Sequence, residues 1–235
     1  MAAPINWYII CEGKSEIAYL SHLARFLRGL AQARGLFFPP LTFTGIPPVH
    51  GVGGGGYPKV NQVFRAERKA NWRGHLKIWL DADVYVREKN EAPDTFAKRT
   101  LVTKGYCSFS ALVFEDFLAM HFDDGLYEEW KRAFARRGHF AKPLVKAEHD
   151  PLFLPFWGRA IGNPDARYKK GDLPEDWITV ASLTNLFRHC VDPDILFPVR
   201  ALTPAPTFPE FLHDQFLRAQ LLPPPSGNDP MATNN

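Results

Sequence analysis

Apolar and polar positions along this chain switch between a period of two and a period between three and four, and the switches outline the first half of the molecule. Asn6-Trp7-Tyr8-Ile9-Ile10-Cys11 is β-branched and aromatic, as a strand is, and it stops at Glu12-Gly13-Lys14-Ser15-Glu16. Beyond it Ile17, Leu20, Leu23, Phe26, Leu27 and Leu30 recur at three and four, which predicts a helix with one buried stripe. In that turn Gly13 permits a sharp bend, Ser15 is the predicted N-cap, and Glu16 complements the positive helix end. Leu41 to Thr44 predicts a second strand. The loop from Ile46 to Pro58, with Pro47, Pro48 and Gly53 to Gly56, lacks the Gly-Lys-Ser/Thr ending of a P-loop and reads as a flexible surface loop. A mixed pattern from Lys59 to Trp72 predicts a second helix. Lys77-Ile78-Trp79-Leu80 is then an apolar run that ends at Asp81-Ala82-Asp83. The order is β-α-β-α-β, so the expected fold class is α/β, a small parallel sheet with right-handed crossovers and flanking helices.

The second half is less regular. Glu88 to Thr100 reads as a polar helix broken by Pro93, with Asp94 as a restart cap, and Leu101 to Ser108 as a fourth strand. Ser108 to Phe122 predicts a strongly apolar helix carrying Glu115, Asp116 and His121, in which Leu112, Glu115, Ala119 and Phe122 share a face. Tyr127 to Arg137 is amphipathic with a basic end. Pro143 to Pro174 is proline-rich and irregular, yet it contains Tyr168-Lys169-Lys170-Gly171-Asp172. Trp177 to Cys190 and Phe208 to Leu221 read as helices, and the tail from Pro223 to Asn235 as disordered. No repeat or interdomain linker is evident. The expected organisation is an α/β core over residues 1–122, a helical and irregular elaboration over 123–222 that completes the site, and a tail over 223–235.

Composition narrows the function classes only modestly. The 235 residues suffice for a sizeable core. No apolar run spans a bilayer and no signal core follows a basic N-terminus, so a cytoplasmic protein is expected. Cys11, Cys107 and Cys190 are far apart and odd in number, which argues against a disulfide framework or a structural zinc site. The net charge of +3 permits a nucleic-acid partner without indicating one.

The chemistry concentrates at strand ends. Asp81 and Asp83 fall at the carboxyl end of a buried strand, where open α/β sheets place their ligands, and residues two apart project to the same side. Two hard oxygen ligands so placed suit Mg²⁺ or Mn²⁺. The same pattern also occurs in turns and helix caps. Glu12 sits at the tip of another parallel strand, so it and the Asp pair are expected to converge on one metal. Glu115, on or beside a buried stripe, needs a partner such as a metal or a base. His121 reads as a hydrogen-bonded structural histidine. The cations Lys59, Arg65, Arg68, Lys69 and Arg73 form either a solvated face or a contact to nucleic-acid backbone. Lys169 and Lys170 lie either in a solvated turn or over a phosphate.

The run Ile10-Cys11-Glu12-Gly13-Lys14-Ser15-Glu16 followed by Leu80-Asp81-Ala82-Asp83 resembles the Glu-Gly and Asp-x-Asp motifs of TOPRIM domains, the fold shared by topoisomerases, primases and OLD-family nucleases. More narrowly, the chain resembles the RloB-like branch. Its motifs correspond to Glu12–Glu16, to Phe114–Phe122 in the form Phe-Glu-x-[Trp/Phe]-Leu-x-x-His-Phe, and to Tyr168–Lys170. Ala111-Leu112 departs from the Asn-Pro that this branch often carries there, and residues 143–165 have no counterpart. The resemblance implies a TOPRIM-like core and metal-dependent cleavage of DNA or RNA, tRNA included, by a protein similar to those of prokaryotic anti-phage defence loci. For such a cleavage Glu12, Asp81 and Asp83 would hold one or two Mg²⁺ (or Mn²⁺), with Glu115 as the candidate fourth carboxylate, Lys169 or Lys170 would stabilise developing charge, and Glu16 would serve as a ligand or general base. A partner ATPase is compatible with it, as is a homodimer, and no membrane partner is implied.

Two other readings use the same residues. A Mn²⁺-dependent glycosyltransferase explains Asp81 and Asp83 but leaves Glu12-Gly13 and Tyr168–Lys170 without a role. A phosphotransferase with Asp81 as nucleophile wants Thr or Val where Tyr85 stands. A non-catalytic, TOPRIM-like regulatory subunit is the remaining alternative.

Overall fold

The computed structural model describes residues 4–47, 56–70, 75–82, 93–110, 113–137, 153–193 and 206–221. Four strands, β1 (Ile5–Cys11), β2 (Leu41–Ile46), β3 (His75–Leu80) and β4 (Cys107–Phe109), form an all-parallel sheet in the order β2-β1-β3-β4. Among the described residues eight α-helices surround it: α1 (Lys14–Ala33), α2 (Gly56–Lys69), α3 (Pro93–Arg99), α4 (Phe114–Ala119), α5 (Asp124–Arg137), α6 (Phe153–Ala160), α7 (Val180–His189) and α8 (Phe208–Arg218). The α/β class is therefore the observed one. No described helix is long and apolar enough to cross a membrane.

Strand order follows from the handedness of the crossovers. The chain moves from β1 to β2 through α1, then back across β1 to β3 through α2. A right-handed connection in each direction places α1 and α2 on opposite faces. The core divides accordingly. On one face Ile9, Cys11 and Trp79 pack with Tyr19, Leu23 and Leu27 of α1, Phe114 and Phe117 of α4, and Phe208 and Leu212 of α8. On the other, Ile10, Ile78 and Leu80 pack with Tyr57, Val60 and Phe64 of α2 and Phe96 of α3. Alternate residues of each strand thus feed different cores, as its period of two requires.

Several boundaries differ from the sequence reading, each for a local reason. α2 begins at Gly56 rather than Lys59, so Tyr57 enters the second core. The segment read as a fourth strand from Leu101 opens instead with a 3₁₀ turn, Val102–Lys104, flanked by Leu101 at φ 62° and Gly105 at φ 73°. Only Cys107–Phe109 pairs with β3. Ser108 and Phe109 consequently belong to β4, and the apolar helix is the shorter Phe114–Ala119. Asp116 turns back to accept a hydrogen bond from the Val113 N–H at its amino end (3.2 Å). Gly53 to Gly55, Ala111-Leu112, residues 143–152 of the proline-rich stretch and the tail lie outside the described residues.

The C-terminal half closes the first face. Phe208 stacks on Trp79 with ring centroids 3.8 Å apart, Phe211 meets Trp7 edge-on, and Trp7 Nε1 donates to Gln215 Oε1 (2.9 Å). α8 is started by Thr207, whose hydroxyl caps the Glu210 N–H while Glu210 accepts the Thr207 N–H.

Candidate active site

In the order β2-β1-β3-β4 the chain leaves β1 toward one edge of the sheet and leaves β3 toward the other. Such divergence opens a crevice beyond the carboxyl ends of the two central strands, the usual ligand position in open α/β sheets. Glu12 is the first residue beyond β1 and Asp81 the first beyond β3. The pairing of Cys11 with Trp79 sets these two acids side by side, one step apart in register. Asp83 lies outside the described residues.

Asp81 is oriented by a residue that sequence reasoning missed. The Ser110 N–H donates to the Leu80 carbonyl (2.9 Å), continuing the β3–β4 pairing, and the Ser110 hydroxyl donates to Asp81 Oδ1. Ser110 escaped notice because it was placed inside a helix. The polar-apolar-polar alternation of Ser108-Phe109-Ser110 was the available signal.

The first turn of α1 supplies the next group. The N-cap is Gly13, in extended backbone at φ −141°, and not Ser15. Extended backbone is open to any residue, so the glycine serves space rather than conformation. A Cβ on Gly13 would lie 3.0 Å from Glu16 Oε2, so its absence leaves room for the Glu16 carboxylate to fold back over the helix end. Glu16 is buried, and burial together with the neighbouring Glu12 and Glu115 charges pushes its carboxyl up to about 7. Its own amide and the Lys170 ammonium act in the opposite direction.

Glu115 arrives on α4, also buried, and its pKa too is raised by burial, with Lys170 opposing. The Lys170 charge therefore acts on both Glu16 and Glu115. Lys169 forms the bridge to Asp172 that closes the turn, with the Asp172 N–H donating to the Lys169 carbonyl (2.9 Å). Gly171, at φ +84°, seats this turn on α1: a Cβ there would lie 3.3 Å from Lys14 Cβ. Tyr168 anchors it from within, buried edge-on against Phe153 and Trp157. Burial and then the Glu115 charge raise the Tyr168 pKa. Its hydroxyl faces Ser15 and Glu115, yet neither it nor Glu115 Oε1 closes a hydrogen bond of normal geometry.

Glu16 therefore feels the charges of Glu12, Glu115 and Lys170, Lys170 acts on Glu115 as well, and Asp81 stands beside Glu12 at the next strand end. Among the described residues no three His, Cys, Asp or Glu side chains stand together as a complete metal cage. The donor chemistry nevertheless fits a hard divalent cation. Glu16 and Glu115 both have raised pKa values, with like-charged neighbours contributing to each, and a cation relieves that repulsion. Glu12 and Asp81, at neighbouring strand ends, are the residues that would hold it.

His121 stands apart from these acids. Burial pushes it down to about 3, and it is held by ring packing against Tyr19, Phe117 and Trp177 rather than by the hydrogen bonds expected of it. The three cysteines are buried free thiols, and burial raises the pKa of Cys11 and Cys107. That makes them unsuited to nucleophilic work.

Searches against protein-family models, curated proteins and solved structures match nothing.

Proposed function

We propose that this protein is a metal-dependent phosphodiesterase acting on nucleic acid, a TOPRIM-like nuclease similar to the RloB-like branch, cytoplasmic and of the kind found in prokaryotic defence loci. The observation that carries the reading is the docking of the Tyr168–Asp172 turn onto the first turn of α1. That contact gathers Lys170, Glu16 and Glu115 beside the strand ends that bear Glu12 and Asp81. A glycosyltransferase reading leaves this cluster of acids and lysine without work.

A Mg²⁺ or Mn²⁺ bound there supplies a Lewis acid for the phosphate and lowers the pKa of an attacking water. Glu12 and Asp81 hold the charged end of the site, with Ser110 fixing the rotamer of Asp81. Glu16, in the first turn of α1 beside Glu12, accepts a proton from the water as it attacks phosphorus. The phosphorus–oxygen bond to the leaving strand then breaks, and the departing oxygen takes up a proton. Lys170 offsets the negative charge that grows on the phosphoryl oxygens in the transition state. Tyr168 and Gly171 position Lys170 and touch no reacting atom.

Incubation of the purified protein with labelled plasmid, single-stranded DNA and total tRNA in Mg²⁺, Mn²⁺ or EDTA, beside Asp81→Asn, tests this. Cleavage that requires metal and is lost in Asp81→Asn is the expected result. Intact substrates with folded wild-type protein in every metal overturn it as a stand-alone activity and direct attention to a partner ATPase.

A further inference from the structure

The end of the sheet opposite Glu12 and Asp81 carries positive charge. α2 runs back against the strand direction, so its last turns, with Arg65, Arg68 and Lys69, lie near the start of β3. Lys98 and Arg99 end α3, and Lys104 follows in the 3₁₀ turn, shortly before the start of β4. These six cations line one cleft of about 650 Å³, with Phe64 and Leu101 in its wall and no carboxylate lining it among the described residues. One or two cations per helix would complement the negative ends of α2 and α3. Six like charges around one hollow exceed that need, because neighbouring like charges destabilise. Two of the guanidinium groups lie over aromatic rings, Arg68 over Tyr106 at 5.0 Å and Arg99 over Tyr57 at 4.7 Å. Arg65, Lys69, Lys98 and Lys104 are exposed and make no ion pair among the described residues.

We propose that this cleft binds the phosphodiester backbone of a nucleic acid at a distance from the scissile bond, an assignment that rests on the nuclease reading for its biological use. The chemistry favours a polyanion: six cations drawn from α2, the end of α3 and the 3₁₀ turn surround one hollow, more positive charge than a single small anion neutralises. The distance sets the kind of substrate. β3 has six residues, so at about 3.3 Å per residue the cleft and the strand-end acids are separated by about 20 Å. A backbone advancing about 3.4 Å per nucleotide spans this in roughly six steps. The cleft therefore favours long substrates over short ones.

The test measures binding in EDTA, so that no cleavage enters. Fluorescently labelled duplex DNA, single-stranded DNA and hairpin RNA of about 24 nucleotides, and tetranucleotides of each, are titrated with the full-length protein at several salt concentrations. The cleft variant Arg65→Gln/Lys69→Gln/Lys98→Gln/Lys104→Gln is compared with Arg25→Gln/Arg28→Gln/Arg132→Gln/Arg218→Gln, which removes equal charge elsewhere, after thermal melts confirm that both fold. Expected results are a loss of tenfold or more in affinity for at least one long ligand in the cleft variant alone. The slope of log affinity against log salt should fall by about two to three, at close to one per lost phosphate contact. Tetranucleotides should bind wild type far more weakly than the long ligands do. Which long ligand responds identifies DNA or RNA. Equal losses in both variants, loss in neither, or no binding by wild type overturns the proposal. Cleft-dependent binding without cleavage in Mg²⁺ or Mn²⁺ overturns the stand-alone nuclease reading and leaves the cleft standing.

Discussion

The two faces of the sheet treat charge in opposite ways. On the face covered by α1, α4 and α8, carboxylates are taken inside: Glu16 and Glu115 are buried beside an aromatic core that includes Tyr19, Trp79, Phe117 and Phe208. On the face covered by α2 and α3 the core is smaller, and cations gather at its rim in water. Holding a carboxylate out of water costs free energy unless protonation or a counter-charge offsets it, whereas a long cationic side chain reaches solvent while its stem covers apolar surface. The first face is therefore poised for chemistry that changes protonation or recruits a cation. The second is suited to contact.

Predictions follow this contrast in decreasing size. Phe208→Ala removes the ring stacked on Trp79 behind the site and is expected to destabilise by about 3–5 kcal/mol in urea unfolding, because the cavity is sealed by a rigid aromatic layer. On the proposed nuclease mechanism, Lys170→Gln lowers kcat by roughly 10²–10³-fold with little change in unfolding midpoint, since Lys170 is exposed and that mechanism sets it against developing charge. Lys169→Gln should leave kcat within a few fold. Equal losses from the two lysines would remove the distinction between them.

The pH dependence of stability comes next. The Glu16 carboxyl is raised in the folded protein from 4.5 to about 7, so the folded state holds a proton that the unfolded state releases between these values. Its contribution is full below pH 4.5 and is lost as pH rises through about 7, on the order of 3 kcal/mol. Metal-free protein should therefore lose stability over this window, and Glu16→Gln should flatten the curve. Added Mg²⁺ should raise the melting temperature at pH 8 and leave it unchanged at pH 5. Gly13→Ala is a smaller perturbation. It displaces the Glu16 carboxylate without backbone strain, and should cost roughly 1 kcal/mol while shifting the pH profile of activity. Smallest of all, neutralising Arg65, Lys69, Lys98 and Lys104 should change stability by less than about 0.5 kcal/mol per position, because exposed side chains away from the core carry little of it.

The strands and the first helix were legible because their patterns are local. The apolar runs ending at Cys11 and Leu80 are strands, and the residues next beyond them, Glu12 and Asp81, do stand at neighbouring carboxyl ends. The stretch around residue 108 reads as one helix because the apolar residues that run on to Phe122 outweigh the short Ser108-Phe109-Ser110 alternation that marks the strand. Ser15 favours capping by residue type, whereas the helix begins two residues earlier than such a cap would start it and holds Ser15 in its first turn, buried beside Tyr168.

By itself the sequence determined the β-α-β-α-β order, the α/β class and the strand-end positions of Glu12 and Asp81, since each depends on side-chain periodicity over a few residues. Tertiary structure alone decided that Ser110 holds Asp81, that Lys170 rather than Lys169 acts on Glu16 and Glu115, and that Gly13 makes room for a carboxylate. Those outcomes depend on segments up to about 150 residues apart coming into contact and on how completely each charge is removed from water, quantities that no local pattern encodes.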